Sequence, residues 1–263
     1  MSLSADDFAR VAAAEASQLR LAQLQQMNAR QLRELLGGDP SEAAPWVRSA
    51  AECGLPSAQL RLGCMLLEGE GVPRDQGRAV SWFTRAAEAG DAEAMNMVGR
   101  CYENGWGVGV DFSLAAHWYA LAAERGYDWA EYNFGNLLFD GRGVAPDRGR
   151  ALEFYRRAAR QGHSRAMNLI GRCLEEGWGC RGDRAAAFEW YRLSAEYGYF
   201  RGQYNFAAAL AERGRMAEAA EWFWKAASCG NADMRATIVA ALARAQDPAI
   251  RQTRERVISL LAP

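Results

Sequence analysis

The sequence contains no apolar run that approaches the roughly 18–20 residues a helix needs to span a bilayer. An excess of one charge is also lacking, because 31 basic and 32 acidic residues leave a formal net charge of −1. Nucleic-acid binding normally needs a clustered basic surface. We therefore expect neither membrane insertion nor nucleic-acid binding. The acidic N-terminus, Met1–Asp7, is unlike a secretory peptide and favours a cytoplasmic protein.

Histidine is scarce, and no motif of metal-binding or catalytic residues is evident. The two histidines, His117 and His163, have no cysteine, carboxylate or second histidine at ligand spacing. Six cysteines show no paired spacing that repeats along the chain, as a disulfide framework would require. Cys173 and Cys180, seven residues apart, are either two independent thiols or a disulfide or redox pair. We expect no metal, no cofactor and no catalytic residues.

Glycine, by contrast, is abundant and regularly spaced. It recurs every 36 residues, at Gly54, Gly90, Gly126, Gly162 and Gly198. A fixed period between about 20 and 50 residues is typical of stacked repeats, in which each unit contacts only its neighbours. The sequence therefore predicts one repeat array rather than separate domains.

Each 36-residue unit opens with a pattern that predicts a first helix. A small residue is followed four positions later by an apolar residue and then by glycine, and this i, i+4 spacing marks one face of a helix. The four copies are Ala58 with Leu62 and Gly63, Ala94 with Val98 and Gly99, Ala130 with Phe134 and Gly135, and Ala166 with Ile170 and Gly171. Glycine inside a helix costs about 1 kcal/mol in propensity. Its recurrence predicts that a neighbouring helix lies too close for a side chain.

A glycine-rich turn and a second helix complete the unit. The turns are Gly69–Val72, Gly105–Val108, Gly141–Val144 and Gly177–Cys180, and glycine suits the left-handed conformation that ends a helix. Because acids suit a helix N-terminus, the second helices are expected to begin at Asp75, Asp111, Asp147 and Asp183. Paired aromatics between alanines, such as Trp118 and Tyr119 between Ala115 and Ala122, predict a core of large and small side chains.

These residues resemble the Sel-one-like repeat (SLR) family, a relative of the tetratricopeptide repeat. The resemblance rests on the small residue with its apolar–glycine pair, the two-glycine turn and the aspartate that precedes alanine and aromatic positions. All three recur in register through residues 55–198. The resemblance implies an all-α fold, a right-handed α-solenoid of stacked helix–turn–helix repeats.

The ends of the chain depart from the repeat. We expect an N-terminal helical arm or cap over residues 1–38, a half repeat over 39–54 and four 36-residue repeats over 55–198. Residues 199–230 form a shortened, tetratricopeptide-like repeat, and residues 231–263 form capping helices. In the last segment Ala232–Ala245 is similar to a first helix, and Asp247 with Pro248 begins a final helix.

The N-terminal segment Ala5–Leu36 is helical by composition, with an apolar side that includes Leu21, Leu24, Met27, Leu32, Leu35 and Leu36. One interpretation is a cap that covers the exposed core of the first unit, as repeat arrays require. The other is an arm that grips a partner or a second copy of the chain.

In tetratricopeptide-like arrays the first helices line a concave surface. The resemblance implies that positions two, six, nine and ten after the small residue point inward. In the middle units these candidate binding positions are Asn96, Arg100, Glu103, Asn104, Tyr132, Asn136, Phe139, Asp140, Asn168, Arg172, Glu175 and Glu176, with Tyr204 in the shortened repeat.

Two interpretations of these inward positions are open. Arg100, Asn136 and Arg172 form a ladder of donors suited to a carboxylate or a backbone carbonyl, and Asn96 and Asn168 are placed to bracket an extended peptide. Alternatively, Arg100 and Arg172 pair with Glu103 and Glu176 on a solvated face.

A second candidate surface consists of aromatic residues that the repeat does not require. Trp129 and Phe200 take positions that Glu93 and Arg165 hold in other units, and Trp106 and Trp178 lie at the tips of turns. Aromatic anchors of this kind mark interfaces, or they fold back onto neighbouring units.

The function that fits these features is a non-catalytic scaffold or adaptor, which binds a peptide or helix of a partner protein in the groove. Two other classes are open. A hydrolase-type enzyme would need a deep pocket with perturbed acids, and an assembly subunit would form homo-oligomers through the N-terminal helix.

Overall fold

The computed structural model describes residues 5–28, 30, 31, 34 and 38–261, and all regular structure in these ranges is helical. Fourteen helices are described over these residues: α1 Ala5–Gln26, α2 Pro40–Glu52, α3 Pro56–Glu68, α4 Gln76–Glu88, α5 Ala92–Asn104, α6 Phe112–Glu124, α7 Asp128–Asp140, α8 Arg148–Arg160, α9 Ser164–Glu176, α10 Arg184–Glu196, α11 Phe200–Glu212, α12 Met216–Cys229, α13 Ala232–Ala241 and α14 Pro248–Ser259. First and second helices therefore alternate at the expected spacing.

The second helices begin at the predicted aspartates. The Asp75 carboxylate accepts the amide of Arg78, and Asp111 accepts the amides of Ser113 and Leu114. Asp147 and Asp183 cap α8 and α10 in the same way. Each carboxylate satisfies amides that have no partner within the helix, so this prediction is confirmed.

The two-glycine turns bring successive repeats into backbone contact. Gly105 ends α5 in the left-handed conformation, at φ 74°. Gly107, two residues later, has φ 70° and lies against the backbone of Gln76, so that a Cβ atom there would overlap the Gln76 carbonyl group. Gly179 lies against Arg148 in the same way. Only glycine fits a position that requires both positive φ and contact with backbone.

In the four 36-residue repeats, the glycine inside the first helix lies under an aromatic ring of the second helix. A Cβ atom at Gly99 would be 2.7 Å from Cδ1 and Cε1 of Tyr119, a fully buried ring. The Tyr119 hydroxyl also donates to Glu103 Oε2 at 2.7 Å, which ties the ring to the first helix. The close approach predicted from the recurring glycine is therefore confirmed, and it occurs within one hairpin.

The described residues divide into two compact units, one within the bounds 1–130 and 142–144 and the other within the bounds 131–141 and 145–263. In the first unit, α1 to α6 pack in chain order, each helix on the next. In the second, α8 to α14 pack in the same order, and α9 also contacts α11. The core is formed by buried alanines and aromatics of the second helices and by buried alanines and aliphatic side chains of the first helices.

The N-terminal helix α1 packs on α2 in the first unit. The Ser17 hydroxyl donates to Glu52 Oε2 at 2.6 Å, and Arg20 Nη1 donates to Ser49 Oγ at 3.3 Å. Polar bonds thus fix the helix to the half repeat.

The single helix expected over Ala5–Leu36 is interrupted. The first helix ends at Gln26, and Asn28 Oδ1 then accepts the amides of Arg30 and Gln31. Asparagine favours such local caps over the helix interior. Composition alone did not reveal this interruption of the helix. The predicted apolar positions Leu32, Leu35 and Leu36 lie outside the described residues.

The C-terminal helices close on the second unit. As predicted, Asp247 accepts the amides of Ala249 and Ile250, and Pro248 occupies the first turn of α14. Thr253 of α14 donates to the Ala220 carbonyl of α12 at 3.4 Å. The preceding helix is shorter than the expected Ala232–Ala245, because α13 ends at Ala241.

Replacing Gln203 with methionine is expected to stabilise the second unit by about 1 kcal/mol. Gln203 is buried, and its Oε1 atom has no hydrogen-bond partner. Equivalent positions in other repeats hold Met95 and Met167. Removing an unsatisfied buried carbonyl at similar volume recovers its desolvation cost. Urea unfolding measures the change.

The matched control for that change is Gln59→Met in the first unit. Gln59 holds the same repeat position, and its Nε2 donates to the Ala51 carbonyl at 3.2 Å, as Gln203 Nε2 donates to the Ala195 carbonyl at 3.5 Å. Only Gln203 also has a buried side-chain oxygen without a partner. The Gln59 replacement therefore loses a hydrogen bond without that gain and is expected to be neutral or destabilising. A Gln203→Met protein no more stable than the wild type would contradict the prediction.

Candidate functional site

A groove of about 350 Å³ lies in the second unit, where the first helices α9, α11 and α13 face α7. Four of its lining residues are aromatic: Tyr132, Tyr199, Phe200 and Tyr204. Leu169 and the buried Met234 add apolar surface. Aromatic and aliphatic groups therefore form much of its inner wall.

Ring contacts hold the aromatic residues of this groove in place. Tyr132 stacks on His163, with ring centroids 4.7 Å apart. His163 is buried, and its Nδ1 atom accepts the Ala166 amide at 3.1 Å, which caps α9. Tyr204 makes an edge contact with Phe223 at 5.7 Å. The groove wall thus rests on the helix cores, and His163 has a capping role in the repeat linker.

An amide pair crosses the base of the groove. Asn205 Nδ2 of α11 donates to Asn168 Oδ1 of α9 at 2.7 Å, and Asn168 is only 4% exposed. The expectation that Asn168 brackets a peptide is therefore modified, because its carbonyl oxygen already bonds a neighbouring helix. Asn96, at the same position in the first unit, is also buried at 4% exposure.

Three arginines give the groove its charge. Arg165, Arg172 and Arg201 line it and are exposed. Each guanidinium lies over an aromatic ring: Arg165 over Tyr199 at 5.8 Å, Arg172 over Trp178 at 5.2 Å and Arg201 over Phe200 at 5.9 Å. The single carboxylate in the lining is Asp233. The guanidinium carries N–H donors and a permanent positive charge, so the lining has more positive than negative side chains.

A second groove of about 320 Å³ adjoins the first and shares Leu169 and Arg172 with it. Its other lining residues are Asn136, Phe139, Asp140, Tyr155, Cys173 and Trp178. The Tyr155 hydroxyl donates to Asn136 Oδ1 at 2.9 Å. Phe139 and Trp178 meet edge to face at 5.3 Å, and Arg148 lies over both rings.

The first unit repeats the arginine–tryptophan contact. Arg100 lies over Trp106 at 5.0 Å, as Arg172 lies over Trp178. Glu103 is used within the protein, since it accepts bonds from the Tyr119 hydroxyl and from Arg142 at 3.0 Å. Asn104 donates to the Arg100 carbonyl. These predicted positions are therefore partly occupied by internal contacts.

Among the residues that the structure describes, the ion pairs of the alternative interpretation are not formed, although Arg172 and Glu176 are exposed. Over the described part of the chain, neither Arg100 nor Arg172 forms an ion pair with Glu103 or Glu176. Glu175 accepts the Tyr191 hydroxyl at 2.6 Å, and neither Glu175 nor Glu176 lines the two grooves.

The structure brings seven predicted residues together around the two grooves of the second unit: Tyr132, Asn136, Phe139, Asp140, Asn168, Arg172 and Tyr204. Sequence reasoning missed Arg165, Arg201, Leu169 and Asn205. The first two precede the small residue of their helices, and the others follow it by three. The sequence did contain a signal for this position, because the residue type varies between repeats: Arg165 and Arg201 correspond to Glu93 and Trp129.

Only part of the second candidate surface coincides with the grooves. Trp178 lines the second groove and Phe200 lines the first, whereas Trp106 lies under Arg100 in the first unit. Phe200 is the first residue of α11 and so corresponds to Ser164, whereas the counterpart of Arg165 is Arg201. Trp129 is 39% exposed in the first unit.

The thiol beside the second groove is not an activated nucleophile. Burial raises the pKa of Cys173 to about 11, so the sulfur is protonated at neutral pH. Cys180 donates to the Cys173 carbonyl at 3.5 Å, and all six cysteines are free thiols. Within the described ranges, no group of three or more histidine, cysteine, aspartate or glutamate side chains is arranged to hold a metal ion. None of the described helices is both long and apolar enough to cross a bilayer.

The Sel1 repeat model matches this chain five times, over residues 56–91, 92–127, 130–163, 164–204 and 216–231. A Sel1 repeat protein from Oxalobacter formigenes is 29% identical, with a TM-score of 0.78 over 89% of this chain and 98% of the other. This similarity and the helical hairpins confirm the predicted class of all-α, stacked helix–turn–helix repeats. Among curated protein sequences none matches this chain.

A protective antigen of uropathogenic Escherichia coli strains, which displays an SLR fold, is also similar. It is 27% identical, with a TM-score of 0.73, and the similarity covers 98% of this chain and 56% of that one. This chain thus spans about half the length of the antigen. An immunity protein of Pseudomonas aeruginosa, 18% identical with a TM-score of 0.56 over 78% of this chain and 80% of the other, shares the fold alone.

Proposed function

Because this chain belongs to the Sel1 repeat family, we propose that it is a scaffold whose second unit binds a segment of a partner protein in its two adjoining grooves. Sel1 repeat proteins are generally scaffolds for protein–protein interaction. The proposal adds the place of binding and the kind of partner, an extended peptide or a helix. It also takes the chain to be an adaptor without catalytic activity.

The geometry of the two adjoining grooves supports this proposal. Leu169 and Arg172 belong to both, so one segment that passes these residues contacts both surfaces. Volumes of about 350 and 320 Å³ suit a few side chains rather than a whole domain. Tyrosine, tryptophan and arginine are the residue types that supply most interface energy, and they form the walls here.

A hydrolase has less support. The Sel1 family is typically non-catalytic. In this chain, the thiol at the second groove is held protonated by burial, and a nucleophile needs the opposite shift. The free cysteines favour a reducing compartment such as the cytoplasm.

We further propose that α1 and α14 are caps of the array. The bonds from Ser17 and Arg20 to the half repeat support the first, and the bond from Thr253 to α12 supports the second. The exposed ends of a repeat array need such covers.

Photo-crosslinking tests the groove. A photoreactive phenylalanine derivative in place of Tyr204, which lines the first groove, is expected to crosslink a defined segment of a partner protein in cells of the source organism. Arg172→Glu in the same protein is expected to lower the yield about ten-fold or more, because a charged hydrogen bond contributes about 1.5–3 kcal/mol. Mass spectrometry identifies the crosslinked peptide.

The matched control places the same derivative at Tyr197, which is 59% exposed and outside both grooves. Crosslinking of the same segment from both positions, or a yield that survives Arg172→Glu, would contradict the groove model. Arg172 is exposed, so its replacement should change the free energy of unfolding by no more than about 1 kcal/mol.

A further inference from the structure

We infer that the first groove of the second unit selects an acidic segment, in which carboxylates flank one aromatic or large aliphatic side chain. This inference rests on the proposed function and specifies the chemistry of the partner. Charge complementarity, the placement of the arginines over aromatic rings and the apolar wall support it.

Charge is locally unbalanced in this groove. Arg165, Arg172 and Arg201 face one carboxylate, that of Asp233. The whole chain has 31 basic and 32 acidic residues, so the local excess is not a consequence of a basic protein. A groove lined mainly by one charge attracts and orients segments of the opposite charge.

Two of these arginines, Arg172 and Arg201, are arranged to bind rather than to pair internally. In the described residues, neither lies within ion-pair distance of a carboxylate, and each guanidinium lies over an aromatic ring. The edge of a guanidinium presents parallel N–H groups that match the two oxygens of a carboxylate. Two such groups, together with the charge of Arg165 in the same groove, suit more than one carboxylate.

The surface between the arginines is apolar. Leu169, Tyr204 and the buried Met234 line the same groove as the three guanidiniums. A purely acidic segment would leave these groups without a partner, whereas one aromatic or aliphatic side chain would cover them. Asn205 and Thr237 add hydrogen-bonding groups for the backbone of an extended segment. Acidic residues around an apolar anchor therefore fit the whole lining.

Peptide display on the intact protein tests the inference. Short random peptides selected against the wild-type chain are expected to be enriched in aspartate and glutamate beside phenylalanine, tyrosine, tryptophan or leucine. A selected peptide is then compared with its amide analogue, in which asparagine and glutamine replace the acids. We expect the acidic form to bind at least about ten-fold more tightly at low salt, with the difference shrinking at high salt.

Charge reversal at two groove arginines is the decisive experiment. Arg165→Glu with Arg201→Glu is expected to weaken the acidic peptide at least about ten-fold and to favour a lysine-substituted version of the same peptide. Arg251→Glu, at an exposed position of α14 outside the groove, is the matched control and should leave both affinities unchanged. Circular dichroism melting verifies that the double variant is folded.

The outcomes separate this inference from the proposed function. Peptides that bind in the groove compete with each other and lose binding in the Tyr204→Ala variant. If such peptides show no enrichment in acidic residues, or if the double charge reversal does not change their affinity, the inference is overturned and the groove proposal stays intact. Failure to select any peptide that binds in the groove would overturn both the inference and the proposed function. Tighter binding of nucleic acid or anionic vesicles than of the selected peptides would do the same.

Discussion

Gly107→Ala is expected to destabilise the first unit by about 2–5 kcal/mol, enough to unfold it under mild conditions. Two effects add at this position. An L-residue in the left-handed conformation costs about 1–2 kcal/mol, and Gly107 has φ 70°. In addition, the new methyl group would overlap the backbone of Gln76. Backbone at a helix start cannot rotate away as a side chain can, so overpacking adds about 1–3 kcal/mol.

Gly90→Ala separates these two effects. Gly90 has φ 96°, but a Cβ atom there would meet no atom within 4 Å. Its replacement is expected to cost only the conformational part, about 1–2 kcal/mol. Urea unfolding of both variants, followed by circular dichroism, gives the difference that belongs to the contact between repeats. Equal losses in the two variants would show that the contact with Gln76 has no energetic weight.

Gly99→Ala is expected to lower the free energy of unfolding by about 1–3 kcal/mol, although alanine is the better helix former by about 1 kcal/mol. The methyl group would lie 2.7 Å from two carbon atoms of the Tyr119 ring. That ring is fully buried, and its hydroxyl bonds to Glu103. Movement of the ring would break this bond, so the clash outweighs the gain in helix propensity.

Gly77→Ala is the control, and it is expected to change the free energy of unfolding in the opposite direction. Gly77 lies in the first turn of α4, and a Cβ atom there would approach only Asp75 Oδ1, at 3.7 Å. The replacement is expected to stabilise the protein by about 0.5 kcal/mol through the unfolded state. Thermal unfolding of the two variants compares them directly. A Gly99→Ala protein as stable as Gly77→Ala would refute the packing role assigned to the first-helix glycine.

Much of the fold could be predicted because the controlling interactions are local or repeat at a fixed period. Asp111 caps the helix that follows it, so its role depends only on nearby residues. The close approach at Gly99 was predicted because an unfavourable residue recurred in a helix. Neither prediction required knowledge of how helices of different repeats are oriented.

The site was predicted only in part because it depends on packing between repeats. Helix periodicity placed Asn168 on the inward face, but the bond from Asn205 of the next first helix buries it. Glu103 was expected to face Arg100, three residues earlier, yet Arg142, in a later turn, reaches it. The groove arginines Arg165 and Arg201 lie one residue before the small position, where periodicity gave no inward expectation.

The backbone contact at each turn glycine also determines how such a chain can change in length. Gln76 and Gly107 are 31 residues apart (107 − 76), and Arg148 and Gly179 have the same separation (179 − 148). Insertion or loss of a complete 36-residue block would keep every such separation, whereas a gain or loss of one residue between Gln76 and Gly107 would displace the glycine from its neighbour. Among repeats that have the two-glycine turn, duplication of whole blocks is therefore the form of growth that keeps this contact. It would also copy groove positions such as Arg165 and Arg201, which gives a simple route to wider or differently charged binding surfaces.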